Sequence, residues 1–304
     1  MESLACRESV TDFLDICMSN SVAVAASADP VLTEDRVLSV MLGQEEMRKV
    51  DYFSTVQPEL RPHMRRIVTD WMLEVCEDQE AGSEVFLLAV HYLDTFLSTT
   101  VIRKSQFQLA AASCLLLASK YVAVAPISGL QLVLYTDHSI SLQELLHWEL
   151  QVLASLRWQL GVPTTISFLH QLVPRLASLS SLPPHLLATL TRHATTIATL
   201  AATEYALLLA PRSVIAAASL QAAFNGLRLT NSDQLAREVG TVVNCPLDML
   251  ARSTIALEAV LAPSTFGQVK EGVLPAFPFH APCHGNEGNT TPTNTFEVLI
   301  AEGA

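Results

Sequence analysis

The sequence predicts an all-α protein built as two five-helix bundles in tandem, and three observations carry that prediction. Half of its 304 residues are hydrophobic while only 6% are aromatic, and the abundance of Leu and Ala favours helices over sheets. The stretch QFQLAAASCLLLASKY, from Gln106 to Tyr121, is apolar on nearly every side of a helix, so it has to be surrounded. It falls short of the ~20 residues that cross a bilayer, and Lys104 and Lys120 bracket it. About a hundred residues later PRSVIAAASLQAAFNGL, from Pro211 to Leu227, repeats the same kind of object. With a length that suits about two domains, the repeat implies two like-folded bundles, each wrapped around its own buried central helix.

The elements follow in order. Residues 1–30 have little periodicity and read as a flexible arm. A leading helix is expected from about Thr33, whose hydroxyl would cap it while Glu34 and Asp35 favour the positive end of the dipole. Together with the first bundle it forms a unit spanning 31–158. That bundle opens with an amphipathic helix from Pro62 to about Glu77, carrying Met64, Ile67, Val68, Trp71, Met72 and Val75. These fill an arc of roughly 140°, wider than the ~100° needed to face one core. A helix opened by Gly82-Ser83 follows, then the central helix, a short segment near Leu130 to Tyr135, and a helix carrying Trp148, Leu150, Leu153 and Leu156. The last is announced by Ser141-Leu142-Gln143-Glu144, which fits the capping box.

Gly161-Val162-Pro163 marks the boundary of the second unit, 159–262, where Thr164 or Thr165 would cap the first helix. Pro183-Pro184 opens the next, Pro211 the second central helix, Ser232-Asp233 would cap another, and Pro246 begins the last. From 263 to 304 the composition shifts to Gly, Pro, Asn and Thr without periodicity, and this segment reads as a disordered tail.

Composition narrows the chemistry. The formal charge of -12 opposes direct nucleic-acid binding. Six Cys are scattered without a CxxC pair, and the N-terminus lacks a basic segment followed by an apolar core, so a nuclear and cytoplasmic location is expected, with no membrane association. No phosphate-cradling loop, dinucleotide fingerprint, zinc-protease motif or kinase signature is present, and no catalytic residue, cofactor or metal site is expected. His280, Cys283 and His284 lack a fourth ligand and a rigid frame.

Four blocks then carry a family resemblance: MRRIVTDWMLEV, VFLLAVHYLDTFL, QLAAASCLLLASKY and YTDHSISLQELLHWELQVLASLRWQL. In order and spacing they resemble the first cyclin box. HATTIATLAATEY and PRSVIAAASLQAAF resemble the second box less sharply. WMLEVCE and the TPT near the end of the tail are similar to D-type cyclins, the G1 class, of which this would be a divergent member. The resemblance implies tandem cyclin boxes and a non-catalytic subunit that binds and activates a G1 cyclin-dependent Ser/Thr kinase, promoting G1/S progression.

It also implies roles for particular residues. Lys120 and Glu149 match the family's kinase-binding Lys and Glu, and the two would converge on one exposed edge. Met64, Ile67 and Trp71, with Glu74 and Gln108 at the edge, match the patch that docks basic-Leu motifs of substrates and kinase inhibitors; three exposed apolar residues at this spacing would seat an anchor side chain. Leu4, Cys6 and Glu8 form LxCxE, the docking motif for retinoblastoma-family pocket proteins, and alternate side chains of an extended segment would face one groove. Thr291, followed by Pro292, matches the family's phosphorylation site, through which a ubiquitin ligase would read the tail.

One departure stands out. D-type cyclins usually follow the Lys with a polar stretch containing Glu, whereas here Tyr121-Val122-Ala123-Val124-Ala125 follows Lys120. This keeps open a second reading, a cyclin-fold adaptor that binds pocket proteins or transcription factors without activating a kinase.

Overall fold

The computed structural model describes residues 31, 34–45 and 51–261. Among these residues every regular element is helical. Two short elements, α1 (Asp35–Gly43) and α2 (Tyr52–Thr55), lead into a bundle of α3 (Pro62–Asp78), α4 (Gly82–Thr99), α5 (Phe107–Val122), α6 (Gly129–Tyr135) and α7 (Leu142–Ser155). The second bundle comprises α8 (Thr165–Leu172), a single turn α9 (Ala177–Ser180), α10 (Pro184–Ala201), α11 (Arg212–Gly226), α12 (Ser232–Val242) and α13 (Leu247–Leu261).

The central helices behave as their composition demands. Every residue from Phe107 to Ser119 of α5, and from Arg212 to Phe224 of α11, is buried. Ala110, Ala111 and Ala112 in one, and Ala216, Ala217 and Ala218 in the other, are wholly inaccessible and let neighbouring helices approach closely. The one hydroxyl within the first quartet satisfies itself, since Ser113 Oγ donates to the Leu109 carbonyl at 2.8 Å.

Local signals set the helix starts. Ser141 Oγ accepts from the Glu144 N–H at 3.2 Å while Glu144 Oε2 accepts from the Ser141 N–H at 2.9 Å, the reciprocal capping box. Thr164 caps α8 by accepting from the Ser167 N–H at 3.1 Å. One expectation is corrected. At α12 the preceding residue is Asn231, in the left-handed region with φ 71°, and Ser232 is already helical. Its hydroxyl donates to Asn225 Oδ1 at 2.5 Å instead of capping its own helix. At α1 the residue before the helix is Glu34, whose side chain makes no capping bond; Thr33 lies outside the described residues.

Helix α1 also packs where the sequence does not foretell. Grouped by chain order with the first bundle, it buries Leu38 in the core of the second. Arg175 holds its start, donating to the Glu34 carbonyl at 2.7 Å and to Asp35 at 3.3 Å. Beyond its end, Glu45 accepts from the Ser213 N–H at 2.7 Å and the Ser213 hydroxyl at 2.5 Å. Pro211 offers no capping side chain to α11, so a carboxylate from far upstream supplies it and meets the positive end of the helix dipole.

The two bundles are joined by a buried ion pair. Arg65 on α3, only 2% exposed, donates from Nε and Nη2 to the two carboxylate oxygens of Asp94 on α4, each at 2.8 Å. The same guanidinium reaches the turn after α10, donating to the Thr203 carbonyl at 3.1 Å and the Ala202 carbonyl at 2.9 Å. Tyr52 Oη donates to Asp94 at 2.8 Å. Burial alone would weaken the guanidinium's basicity, yet Asp94 outweighs it and raises it above its ordinary value. Beside this node a cavity of about 100 Å³ opens between the bundles.

Breaking the node leaves a buried charge unpaired, which costs roughly 3–5 kcal/mol. Asp94→Ala should therefore lower the midpoint of a urea unfolding curve severely; a midpoint equal to the wild type would remove the node from its structural role.

Candidate functional site

Lys120 occupies the last turn of α5, where a cation complements the negative end of the helix dipole. Glu149 lies in the middle of α7, which packs against α5. The lysine Nζ is 3.1 Å from Glu149 Oε1 and 3.3 Å from Oε2. The glutamate side chain is 12% exposed and the lysine 37%, so the pair sits at the edge of the bundle with its charges largely engaged. A half-exposed pair contributes about 0–1 kcal/mol to folding.

Its surroundings are unusually apolar for a surface. Tyr121, Val122 and Val124 follow Lys120 and are exposed, and Leu146 and Leu150, three residues before and one after Glu149 on the outward side of α7, are exposed too. Leu150, read from sequence as one of the apolar set of its helix, points away from the core. Nearby Trp158 is also exposed, held in the left-handed region with φ 61° directly after Arg157 at φ 50°. Such backbone costs a bulky residue about 1–2 kcal/mol. It is anchored by the Trp158 N–H donating to Leu153 O at 3.1 Å and by Tyr92 Oη donating to Leu160 O at 2.8 Å. Sequence reasoning missed Trp158 as a surface residue, since helical periodicity says nothing about a left-handed pair beyond a helix end.

The second candidate surface lies on α3 and differs from expectation. Met64 and Trp71 are not exposed: they retain 7% and 2% of their accessible surface, and only Ile67 is half-buried. The wide apolar arc is mostly consumed because α3 packs against both α4 and α5. Gln108 is likewise buried, and its Oε1 accepts from Ser139 Oγ at 3.4 Å. What remains is a shallow strip with one unfinished interaction. The buried Trp71 indole N–H has no hydrogen-bond partner among the described residues, an omission that costs about 1–3 kcal/mol.

Asp70, Glu74 and Glu77 run along the rim of this strip. Burial raises the carboxyl of each, and repulsion adds to it: Asp70 acts on Glu74, and Glu74 on Glu77. For Asp70, burial and Glu204 prevail over its bonds to Arg66 at 2.8 Å and 2.9 Å.

Among the described residues no group of His, Cys, Asp and Glu is placed to hold a metal, and no helix is long and apolar enough to cross a membrane. Burial pushes the Cys76 thiol up to about 12 and the Cys114 thiol well above its ordinary value, leaving both as inert core groups. Leu4, Cys6, Glu8 and Thr291 lie outside the described residues, as do His280, Cys283 and His284.

Two central helices, each encircled by others, define the cyclin fold, and comparison agrees. Residues 36–161 match the family model "Cyclin, N-terminal domain". A viral cyclin from herpesvirus saimiri superposes with a TM-score of 0.65 at 23% identity, over 74% of this chain and 95% of that one. Among curated proteins, G1/S-specific cyclin-D3 of Bos taurus is 38% identical over 93% of this chain and 98% of its own length. G1/S-specific cyclin-D2 of Xenopus laevis is 38% identical over 82% and 87%. The chain belongs to the G1/S-specific cyclin D family, whose members are regulatory subunits and not catalysts.

The acidic rim has a stability signature. A carboxyl raised by folding adds stability below its unfolded pKa, and that stability is lost as pH rises through the folded value. Glu74→Gln should therefore raise the melting temperature at pH 7, with the gain vanishing near pH 4; equal melting at both pH values would show that the rim carboxylates do not repel.

Proposed function

We propose that this chain binds and activates a G1 cyclin-dependent Ser/Thr kinase and carries it to retinoblastoma-family substrates, promoting passage from G1 to S. The observation that carries this reading is the Lys120–Glu149 pair set among exposed apolar side chains. An interface needs an apolar centre with a few oriented polar groups, and the Lys120–Glu149 pair would supply those groups by turning from each other to a partner backbone. Activation is then a population shift: the cyclin binds the kinase's active arrangement more tightly than its inactive one.

The α3 strip fits the docking of basic-Leu motifs in substrates and inhibitors. An incoming extended peptide would lay its leucine over Ile67 and the rim of Met64, and Glu74 would meet the basic residue. Gln108, buried beneath the edge of the strip, supports it from within. Recruitment of a pocket protein is assigned to Leu4, Cys6 and Glu8. Thr291 is the site whose phosphorylation would add negative charge for a ubiquitin ligase to recognise, with the protein distributed between nucleus and cytoplasm.

The alternative, an adaptor without kinase activation, is favoured by one feature, the sequence Tyr121-Val122-Ala123-Val124-Ala125 where the D-type pattern is polar and contains Glu. A single experiment separates the two. The chain is co-purified with each G1-class kinase, and phosphate transfer to a retinoblastoma-family fragment is assayed beside Lys120→Glu. Reversing one charge of the pair should weaken kinase binding on the order of a hundredfold and abolish transfer. Stable pocket-protein binding with no kinase association or activity would leave the adaptor.

Docking is checked separately by titrating a labelled Arg-x-Leu peptide. Glu74→Gln should weaken its binding about tenfold, since a charge-assisted hydrogen bond is worth roughly 1.5–3 kcal/mol. Unchanged affinity would remove Glu74 from the docking surface.

A further inference from the structure

The uncharged segment after Lys120 is neither buried nor loosely held. Ala123, in extended backbone at the end of α5, packs against the first core. Ile127 is inserted into that core, and Ser128 immediately caps α6, accepting from the Gln131 N–H at 3.2 Å. On the other side, Tyr121 is lodged against the linker: a Cβ added at Gly161 would lie 2.5 Å from its hydroxyl. Between these anchors Val124 is 106% exposed, at the tip of the loop. No charged side chain occurs anywhere from residue 121 to residue 136. The loop therefore holds a β-branched apolar side chain in water on a short, doubly fixed support, and begins where α5 ends, at Ala123, just beyond the helical turn that carries Lys120.

We propose that Val124 is a specificity-determining knob that seats in an apolar, uncharged recess of the kinase engaged by Lys120 and Glu149. This rests on the kinase-subunit reading given above. The occupant is the kinase because the knob stands on the segment that directly follows Lys120, in which Tyr121 and Val122 are exposed and apolar as well. Because the loop is already ordered, docking loses little conformational freedom. Because the run is uncharged, a kinase presenting a lysine, arginine or carboxylate opposite the tip would have to desolvate a charge that finds no partner. Selection among kinases thus comes from a repulsive element as well as an attractive one.

The test measures dissociation constants of the full chain for each G1-class kinase in turn, by calorimetry, with the wild type, Val124→Glu, Val124→Thr and Lys120→Glu. Val124→Glu should weaken the best-bound kinase about tenfold or more, equivalent to about 1.4 kcal/mol, and should change the rank order among kinases. Val124→Thr, similar in shape and uncharged, should keep that order. If Val124→Glu binds every kinase as the wild type does while Lys120→Glu binds none, the knob is overturned and the kinase reading stands. If neither variant changes binding, the kinase reading falls with it. The melting temperature of Val124→Glu should equal that of the wild type; a drop would show the side chain to be part of the fold and would also overturn the proposal.

Discussion

The architecture depends on one buried cation. Arg65 has no access to solvent that could stabilise it alone, and its five donors are disposed so that one guanidinium ties α3 to α4 through Asp94 and to the end of α10 through two carbonyls. A hydrophobic contact at that position could slide; a forked donor set between two carboxylate oxygens and two fixed carbonyls cannot move without leaving a charge unpaired. The relative placement of the bundles follows. So does the pose of α3, whose outer strip is the candidate docking surface, and of α4, which packs on the central helix that ends in Lys120.

The two candidate surfaces are built on different physical principles. At Lys120 and Glu149 the polar groups are satisfied within the chain, and the apolar residues are the ones left in water. On α3 the reverse holds: the apolar residues are mostly buried, and a polar group, the Trp71 N–H, is the one left incomplete. The first kind of deficit favours a partner through area removed from water; the second is enclosed within the fold and is a cost that α3 carries.

Much of this was readable from the chain because the strongest signals are local or all-round. A helix apolar on every side has only one destination, so α5 and α11 were identifiable before any contact was known. Ser141 with Glu144 and the hydroxyl of Thr164 cap through residues within one turn, and those caps are found as read. Most of the failures are non-local. A helical wheel gives the arc of α3 but not how much of it neighbours will cover, which is why Met64 and Trp71 are deeper than expected. Nothing near Pro211 signals that Glu45 will complete the start of α11, and chain order wrongly suggests that α1 belongs with the bundle it precedes. Ser232 is a reasonable cap by residue type, but the helix starts one residue earlier than that role requires, with Asn231, a residue that tolerates the left-handed conformation, before it and no side-chain cap.

The strap formed by α1 has a consequence for how the molecule is made. Glu45 and Ser213 are 168 residues apart, so during synthesis the leading helix emerges long before the surface that receives it exists. Non-local pairings of this kind incur the cost of loop closure before they return any contact, and domains generally fold as units in the order they appear. Leu38 has no core to enter until the second bundle exists. Completion of the second bundle then captures it, so the strap is a late event in folding and its formation marks that both halves of the chain are in place.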